Sequence, residues 1–125
     1  METKEYRTLD EVMENINHSI IEIKKWLGFC NLPENKNSVF NNYTEVNIAM
    51  QHVFDFINSP KTKRYFAQFI EYALFFESAL AKLTDVVKAA ERQYSRSSVQ
   101  ANIPLSEAKG ILETLSVYIT VSHQN

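Results

Sequence analysis

The apolar residues between positions 60 and 96 recur at alternating steps of three and four. The series is Phe66, Phe69, Ala73, Phe76, Leu80, Leu83, Val87, Ala90 and Tyr94. This spacing keeps the side chains on one face of an α-helix, as in helical bundles and coiled coils. Ser59 suits the N-cap of such a helix and Pro60 its first position. We therefore predict one central helix over 60–96, about 35 residues and roughly 50 Å long.

The chain before residue 44 divides into a helix and a loop. Apolar residues at steps of four and three predict a helix over 9–27. Thr8 and Glu11 have the spacing of a capping box, and Gly28 suits the left-handed residue that ends a helix. Residues 29–43, which are rich in Asn, predict an irregular loop folded over one end of the bundle. The inward residues predicted for this helix are Leu9, Met13, Ile16, Ile20, Ile23 and Leu27.

Two further amphipathic helices are predicted over 44–58 and 104–121. Gly110 lowers the helix propensity of the second one and marks a position for a close helix crossing. The inward residues predicted for the two are Val46, Met50, Val53 and Ile57, then Leu105, Ala108, Leu112, Leu115 and Ile119. With the central helix they predict an all-α, four-helix bundle in a single domain over 1–125.

The central helix carries a second apolar stripe beside the first. Its members are Tyr65, Tyr72, Phe75, Ala79 and Val86. A helix that is apolar over more than half its circumference contacts neighbours on several sides, and one chain of 125 residues supplies only some of them. We therefore expect a homodimer or a higher homo-oligomer that completes the bundle. The residues expected at the partner interface are Tyr65, Tyr72, Leu74, Phe75 and Ala79.

Composition excludes several classes of protein. The net charge of −2 and the pI of about 5.9 give no general attraction to nucleic acid or to an anionic membrane. The single cysteine cannot form an internal disulfide and suits a reducing compartment. The most apolar window, residues 65–83, contains Glu71, Glu77 and Lys82, which argues against a membrane span. Because the N-terminus also lacks a signal-peptide pattern, we expect a soluble cytoplasmic protein.

Few residues have the spacing of a catalytic or metal site. The groups with such spacing are Glu14, His18 and Glu22, and His52 with Asp55. Both groups fall outside the apolar stripes and lack the Glu-x-x-His pairs of diiron bundles, so we interpret them as solvated faces. Cys30 could act as a nucleophile with a histidine as base, but its apolar neighbours favour a packed side chain. We therefore expect no enzymatic activity, metal or cofactor.

Two groups of basic residues are candidates for contact with an anionic partner. They are Lys61, Lys63 and Arg64 at the start of the central helix, and Lys88, Arg92 and Arg96 near its end. The first group opposes the helix dipole, which indicates a function other than helix stability. The second group complements the dipole, so a structural role also accounts for it.

Four functions remain open, and we rank them by these patterns. The surplus apolar face favours a non-catalytic protein–protein interaction module: an adaptor, a complex subunit or a small inhibitor, roles common among phage and mobile-element proteins. The alternative is a nucleic-acid-associated protein that uses the two basic groups. A small ligand held between helices ranks third, and metal-dependent catalysis ranks last.

Overall fold

The computed structural model describes residues 8–30, 40–96 and 102–124, with side chains at 8–28, 44–93 and 103–120. These segments form five helices and no strand, which confirms the predicted all-α class. The helices are α1 (Leu9–Cys30), α2 (Phe40–Ile57), α3 (Pro60–Gln68), α4 (Ile70–Arg96) and α5 (Asn102–Gln124). None of them is both long and apolar enough to cross a membrane.

The ends of the helices agree only in part with the predicted boundaries. The capping box is confirmed, because the Thr8 N–H donates to Glu11 Oε1 and the Glu11 N–H donates to Thr8 Oγ1, each at 3.1 Å. Gly28 does not end α1, which continues to Cys30 without a positive φ at the glycine. The second helix begins at Phe40, and the last begins at Asn102. Both ends of the predicted loop over 29–43 are therefore helical, and residues 31–39 lie outside the described residues.

The predicted central helix consists of two helices that meet at Phe69. At this residue φ is −131° and ψ is 75°, which is outside the helical region. The Phe69 N–H still donates to the Tyr65 carbonyl at 2.9 Å, and its own carbonyl accepts from the Tyr72 N–H at 3.0 Å. The prediction of one helix over 60–96 is therefore wrong. Phe69, expected in the core, has 44% of its surface exposed.

The helices pack as two parallel pairs that are joined by an antiparallel contact. α1 lies along α4 in the same direction. In the first third of each helix, Asn15 Nδ2 donates to Glu77 Oε2 at 2.7 Å. α2 and α5 are also parallel, with Lys109 Nζ 2.6 Å from Glu45 Oε1. The hydrogen bond that Lys109 donates to Glu45 raises the pKa of this lysine. α4 and α5 run antiparallel, so the start of α4 lies beside Tyr118 near the end of α5.

This arrangement explains why the chain bends at Phe69. α2 lies across the bundle from α4, and α3 spans the end of the bundle between them. A straight helix over 60–96 would carry Phe66 away from the bundle, whereas the bend buries it completely. Its ring lies 6.2 Å from Phe56 and 5.6 Å from Phe76. Burying a Phe side chain stabilises by roughly 1.5–3 kcal/mol. The N–H and the carbonyl of Phe69 both remain hydrogen-bonded at the bend, so no hydrogen bond lost at this residue offsets that gain.

The predicted inward residues form most of the core. The buried residues of α4 on the predicted stripe are Ala73, Phe76, Leu80, Leu83, Val87 and Ala90. Ile16, Ile20, Ile23 and Leu27 are buried on α1 as predicted, whereas Leu9 and Met13 are half-buried. Val12 and Trp26 occupy the core positions that the α1 pattern missed. The stripe of α2 is buried throughout, and that of α5 is buried except for the half-buried Ile119.

The second apolar stripe of the central helix faces α5 of the same chain. The Phe75 ring lies 4.2 Å from the Tyr118 ring, and the Tyr72 ring lies 6.0 Å from it. Val86, farther along the same stripe, is buried. The face from which we predicted completion by a second copy is therefore largely covered within one chain. Four helices of a single chain enclose the core, with α3 across one end.

Gly110 does not mark a close crossing within the chain. It is exposed on α5, and a Cβ added there would meet no atom within 4 Å. We expect Gly110→Ala to raise the free energy of unfolding by about 0.5–1 kcal/mol, because alanine is the better helix former. Urea denaturation followed by circular dichroism measures this change. A loss of stability would contradict the open space around this position.

Candidate interaction surface

Five aromatic rings form a continuous surface at the end of the bundle where α3, α4 and α5 meet. We call it the aromatic surface, and its residues are Tyr65, Phe69, Tyr72, Phe75 and Tyr118. Phe69 is exposed and the other four are half-buried. Every ring centroid lies within 6.0 Å of another in the set. Because contiguous exposed apolar patches are uncommon on small monomeric domains, this surface is the candidate interaction site of the chain.

The bend between α3 and α4 creates one half of this surface. Tyr65 and Tyr72 stack with their centroids 5.4 Å apart and an interplanar angle of 19°. The Phe69 ring packs against both, at 5.3 Å from Tyr65 and 6.0 Å from Tyr72. Because Phe69 is outside the helix, its side chain points away from the core and joins the two tyrosines. The three rings therefore lie together over the corner of the chain.

Buried rings support the aromatic surface from below. Phe56, Phe66 and Phe76 come from three different helices and are all buried. The Tyr65 ring lies 6.2 Å from Phe66, and the Phe75 ring lies 5.9 Å from Phe76. Aromatic side chains have only two rotatable side-chain angles, so packing at this density holds them in place. A partner would meet a surface that is already ordered.

The phenol of Tyr72 remains protonated at neutral pH. Its pKa is raised above the usual value of 10.0, mainly because ionisation would place a second negative charge beside Tyr65. The hydrogen bond between the two phenols and the neighbouring Tyr118 act in the same direction. The Tyr72 hydroxyl uses its proton in the hydrogen bond to the Tyr65 oxygen, so the pair offers one further hydroxyl donor to a partner.

The residues predicted at a partner interface do not share one face. Tyr65, Tyr72 and Phe75 belong to the aromatic surface, and Ala79 is half-buried one turn farther along α4 on the same side. Leu74 is exposed on the opposite side of α4. The sequence pattern missed Phe69, which we had placed in the core, and Tyr118, which it assigned to no interface.

The first basic group lies next to the aromatic surface. Lys61, Lys63 and Arg64 are all exposed on α3. Arg64 immediately precedes Tyr65, and Lys61 lies one helical turn before it. No ion pair joins any of the three to another residue in the described part of the chain. We call this group the basic turn.

The second basic group lies at the other end of the bundle. Lys88 and Arg92 are exposed on α4, and the side chain of Arg96 lies outside the described residues. The distance along α4 from Ile70 to Lys88 is roughly 27 Å. The two groups therefore do not form one continuous basic surface.

A groove runs between the second halves of α1 and α4. It has a volume of about 160 Å³, and its lining residues are Glu22, Lys25, Trp26, Val87, Lys88 and Glu91. Lys25 Nζ lies 3.8 Å from Glu22, and the two lysines balance the two glutamates. The Trp26 Nε1–H is shielded from solvent and has no acceptor among the described residues. The groove thus offers balanced charge, and its Trp26 donor is shielded from solvent, which does not favour a particular small ligand.

The residues with metal or catalytic spacing lie on the surface. Glu14 and His18 are exposed on α1, where Glu22 is half-buried. His52 is exposed on α2, and Asp55 beside it accepts a hydrogen bond from Gln51 Nε2 at 3.2 Å. Within the described segments, no three His, Cys, Asp or Glu residues are grouped so as to hold a metal ion. The side chain of Cys30 lies outside those segments.

The chain matches no protein-family model, no curated protein and no solved structure. A function can therefore be argued only from the aromatic surface, the basic turn and the groove. Of the three, the aromatic surface has the largest set of accessible apolar side chains in mutual contact.

Proposed function

We propose that the protein is a non-catalytic protein–protein interaction module and that the aromatic surface is its interface. It would act as an adaptor, a complex subunit or a small inhibitor that covers part of its partner. The supporting observation is the set of five contiguous rings, none of them fully buried, at one end of the bundle. Tyrosine and other aromatic residues are enriched at the cores of protein interfaces.

The size of the aromatic surface suits the centre of an interface. A fully buried aromatic side chain covers 150–250 Å², and Phe69 is 44% exposed while the other four rings are less exposed, so the five rings offer at most roughly 450 Å². A standard interface buries about 800 Å² on each partner. The five rings would therefore form its core, with polar residues of α3 and α5 as the rim. Because the rings are already packed, little side-chain entropy is lost on binding.

Two occupants are compatible with this proposal, a second copy of the chain and a different protein. In a homodimer the aromatic surface would join two bundles that are each already complete, since α5 covers the second stripe within each chain. Two-fold pairing through this surface would bring the same patch of each copy together, including its basic turn. We further propose a cytoplasmic location, which the single cysteine suits.

Phe69→Ser is expected to abolish association while leaving the bundle folded. Phe69 is exposed and lies outside the core, so its loss affects binding more than stability. Size-exclusion chromatography with light scattering at tens of micromolar tests self-association, and affinity purification from the native host tests binding to another protein. Ile48→Ser is the matched control, because Ile48 is exposed on α2 and lies outside the aromatic surface. Wild-type protein that is monomeric and purifies alone would contradict the proposal, as would equal association by both variants.

The second candidate function is association with nucleic acid, which the cations of the basic turn favour, since none of them is paired with another described residue. Binding would weaken steeply with salt, because each phosphate contact releases counterions. Fluorescence anisotropy with labelled oligonucleotides of about 20 nucleotides in about 50 mM salt measures this directly. No change in anisotropy with DNA or RNA would exclude this function.

A further inference from the structure

The aromatic surface and the basic turn form one continuous feature of the chain. Arg64 is joined directly to Tyr65, and Lys61 lies four residues before it on the same side of α3. α3 contains no acidic residue, and none of its three cations is paired within the described segments. The first turn of a helix also carries the positive end of the helix dipole. Positive charge therefore borders the rings on the α3 side.

The orientation of the rings adds to this positive character. Tyr65 and Tyr72 stack on each other, and Phe75 packs on Tyr118 at 4.2 Å with an interplanar angle of 32°. In each of these two pairs one ring face covers another, so part of the negative faces of the aromatic quadrupole is withdrawn from a partner. The phenol proton that is not used between Tyr65 and Tyr72 remains as a donor. A carboxylate is attracted to ring edges, hydroxyl donors and cations alike.

From this combination we infer that the occupant of the aromatic surface is an acidic protein segment that also carries apolar side chains. Its apolar residues would cover the five rings, while its carboxylates would pair with Lys61 and Arg64. This inference rests on the proposed function and adds the chemical class of the partner. Complementary charge at the rim of an interface raises the association rate and selects among partners.

The two other occupants fit these observations less well. A second copy bound by two-fold symmetry would bring one basic turn towards the other, and like charges repel. A single-stranded nucleic acid needs several free ring faces on which successive bases stack, and four of the five rings already use one face in a contact within the chain. Both remain outcomes of the experiment that follows.

Selection from a phage-displayed library of random peptides of about 16 residues tests the inference without assuming a sequence. The full-length protein is the target, and enriched peptides are synthesised with a fluorescent label for anisotropy measurements. We expect them to be acidic, with apolar residues between the carboxylates. The charge-reversal variant Lys61→Glu/Arg64→Glu is expected to bind them at least about tenfold more weakly. Glutamate in the first turns of a helix favours its dipole, so this variant retains the fold.

The matched control is Lys88→Glu/Arg92→Glu, which changes the net charge by the same amount at the other end of the bundle. It is expected to bind the acidic peptides as the wild type does. Neutral or basic enriched peptides, or equal weakening by the two variants, would overturn the inference. Peptides that still bind the basic-turn variant but no longer bind Phe69→Ser would support the aromatic surface as the interface. They would contradict the inference that the partner is acidic. If no peptide is enriched, and an oligothymidine probe binds the wild type but binds both charge variants more weakly, the proposed protein-interaction interface is contradicted as well.

Discussion

Replacing Phe76 with alanine is expected to lower the free energy of unfolding by about 3–5 kcal/mol. Phe76 is buried on α4, with its ring centroid 5.6 Å from both Phe56 and Phe66. It also lies 6.5 Å from Tyr118, so one ring joins four helices. The variant loses the transfer free energy of the ring and leaves a cavity that the surrounding helices fill only partly. Urea denaturation, followed by circular dichroism and by the fluorescence of Trp26, measures the change.

The control for this prediction is Phe69→Ala. Phe69 lies seven residues before Phe76 on the same predicted stripe, but 44% of its surface is exposed. Its replacement is expected to lower the free energy of unfolding by less than about 1 kcal/mol. Equal losses at the two positions would contradict the bend, because they would place Phe69 in the core of a continuous helix.

Replacing Thr62 with valine is expected to lower the free energy of unfolding by about 1–3 kcal/mol. Thr62 is buried where α2 turns into α3, and its hydroxyl donates to the Phe56 carbonyl. The hydroxyl of Ser59 therefore donates to Thr62 Oγ1, at 2.9 Å, and its oxygen accepts from the Thr62 N–H at 3.2 Å. Valine keeps the volume but removes an acceptor from Ser59 and a donor to Phe56, in a position shielded from water.

The matched substitution is Thr114→Val on α5. The Thr114 hydroxyl donates to the Gly110 carbonyl at 3.2 Å, but this residue is exposed and water can replace the bond. We expect a change within about 0.5 kcal/mol. Thermal or urea denaturation of both variants gives the comparison. Similar effects at the two positions would show that the junction between α2 and α3 is not specially stabilised by Thr62.

The sequence predicts the stripes of the helices well because burial repeats with the helical period. Ile16, Met50, Leu83 and Leu112 are fully buried at positions that spacing alone indicates. The bend at Phe69 gives no such signal, since no glycine or proline lies near it. Its cause is tertiary: α3 has to span the end of the bundle from α2 to α4. Local spacing contains no information about which helices become neighbours.

The same distinction explains how much of the aromatic surface could be predicted. The sequence pattern identified three of its residues, because they are aromatic and lie beside the main stripe: Tyr65, Tyr72 and Phe75. Phe69 was missed because its exposure depends on the bend. Tyr118 was missed because its place beside α4 depends on the antiparallel packing of α5. The basic turn was found from its unfavourable position in the helix, but the fold is needed to show that α3 carries it at the same end of the bundle as the aromatic surface.

The parallel pairing of α1 with α4 has a consequence for the synthesis of the protein. α1 leaves the ribosome before the helix that covers its main apolar stripe has been made. At 5–20 residues per second, translation from the end of α1 to the end of α4 takes about 3–13 s. During this interval Ile23 and Trp26 lack the neighbours that bury them in the finished chain. The nascent chain is therefore at its most prone to aggregation before α4 emerges, and slow translation of that segment prolongs the risk.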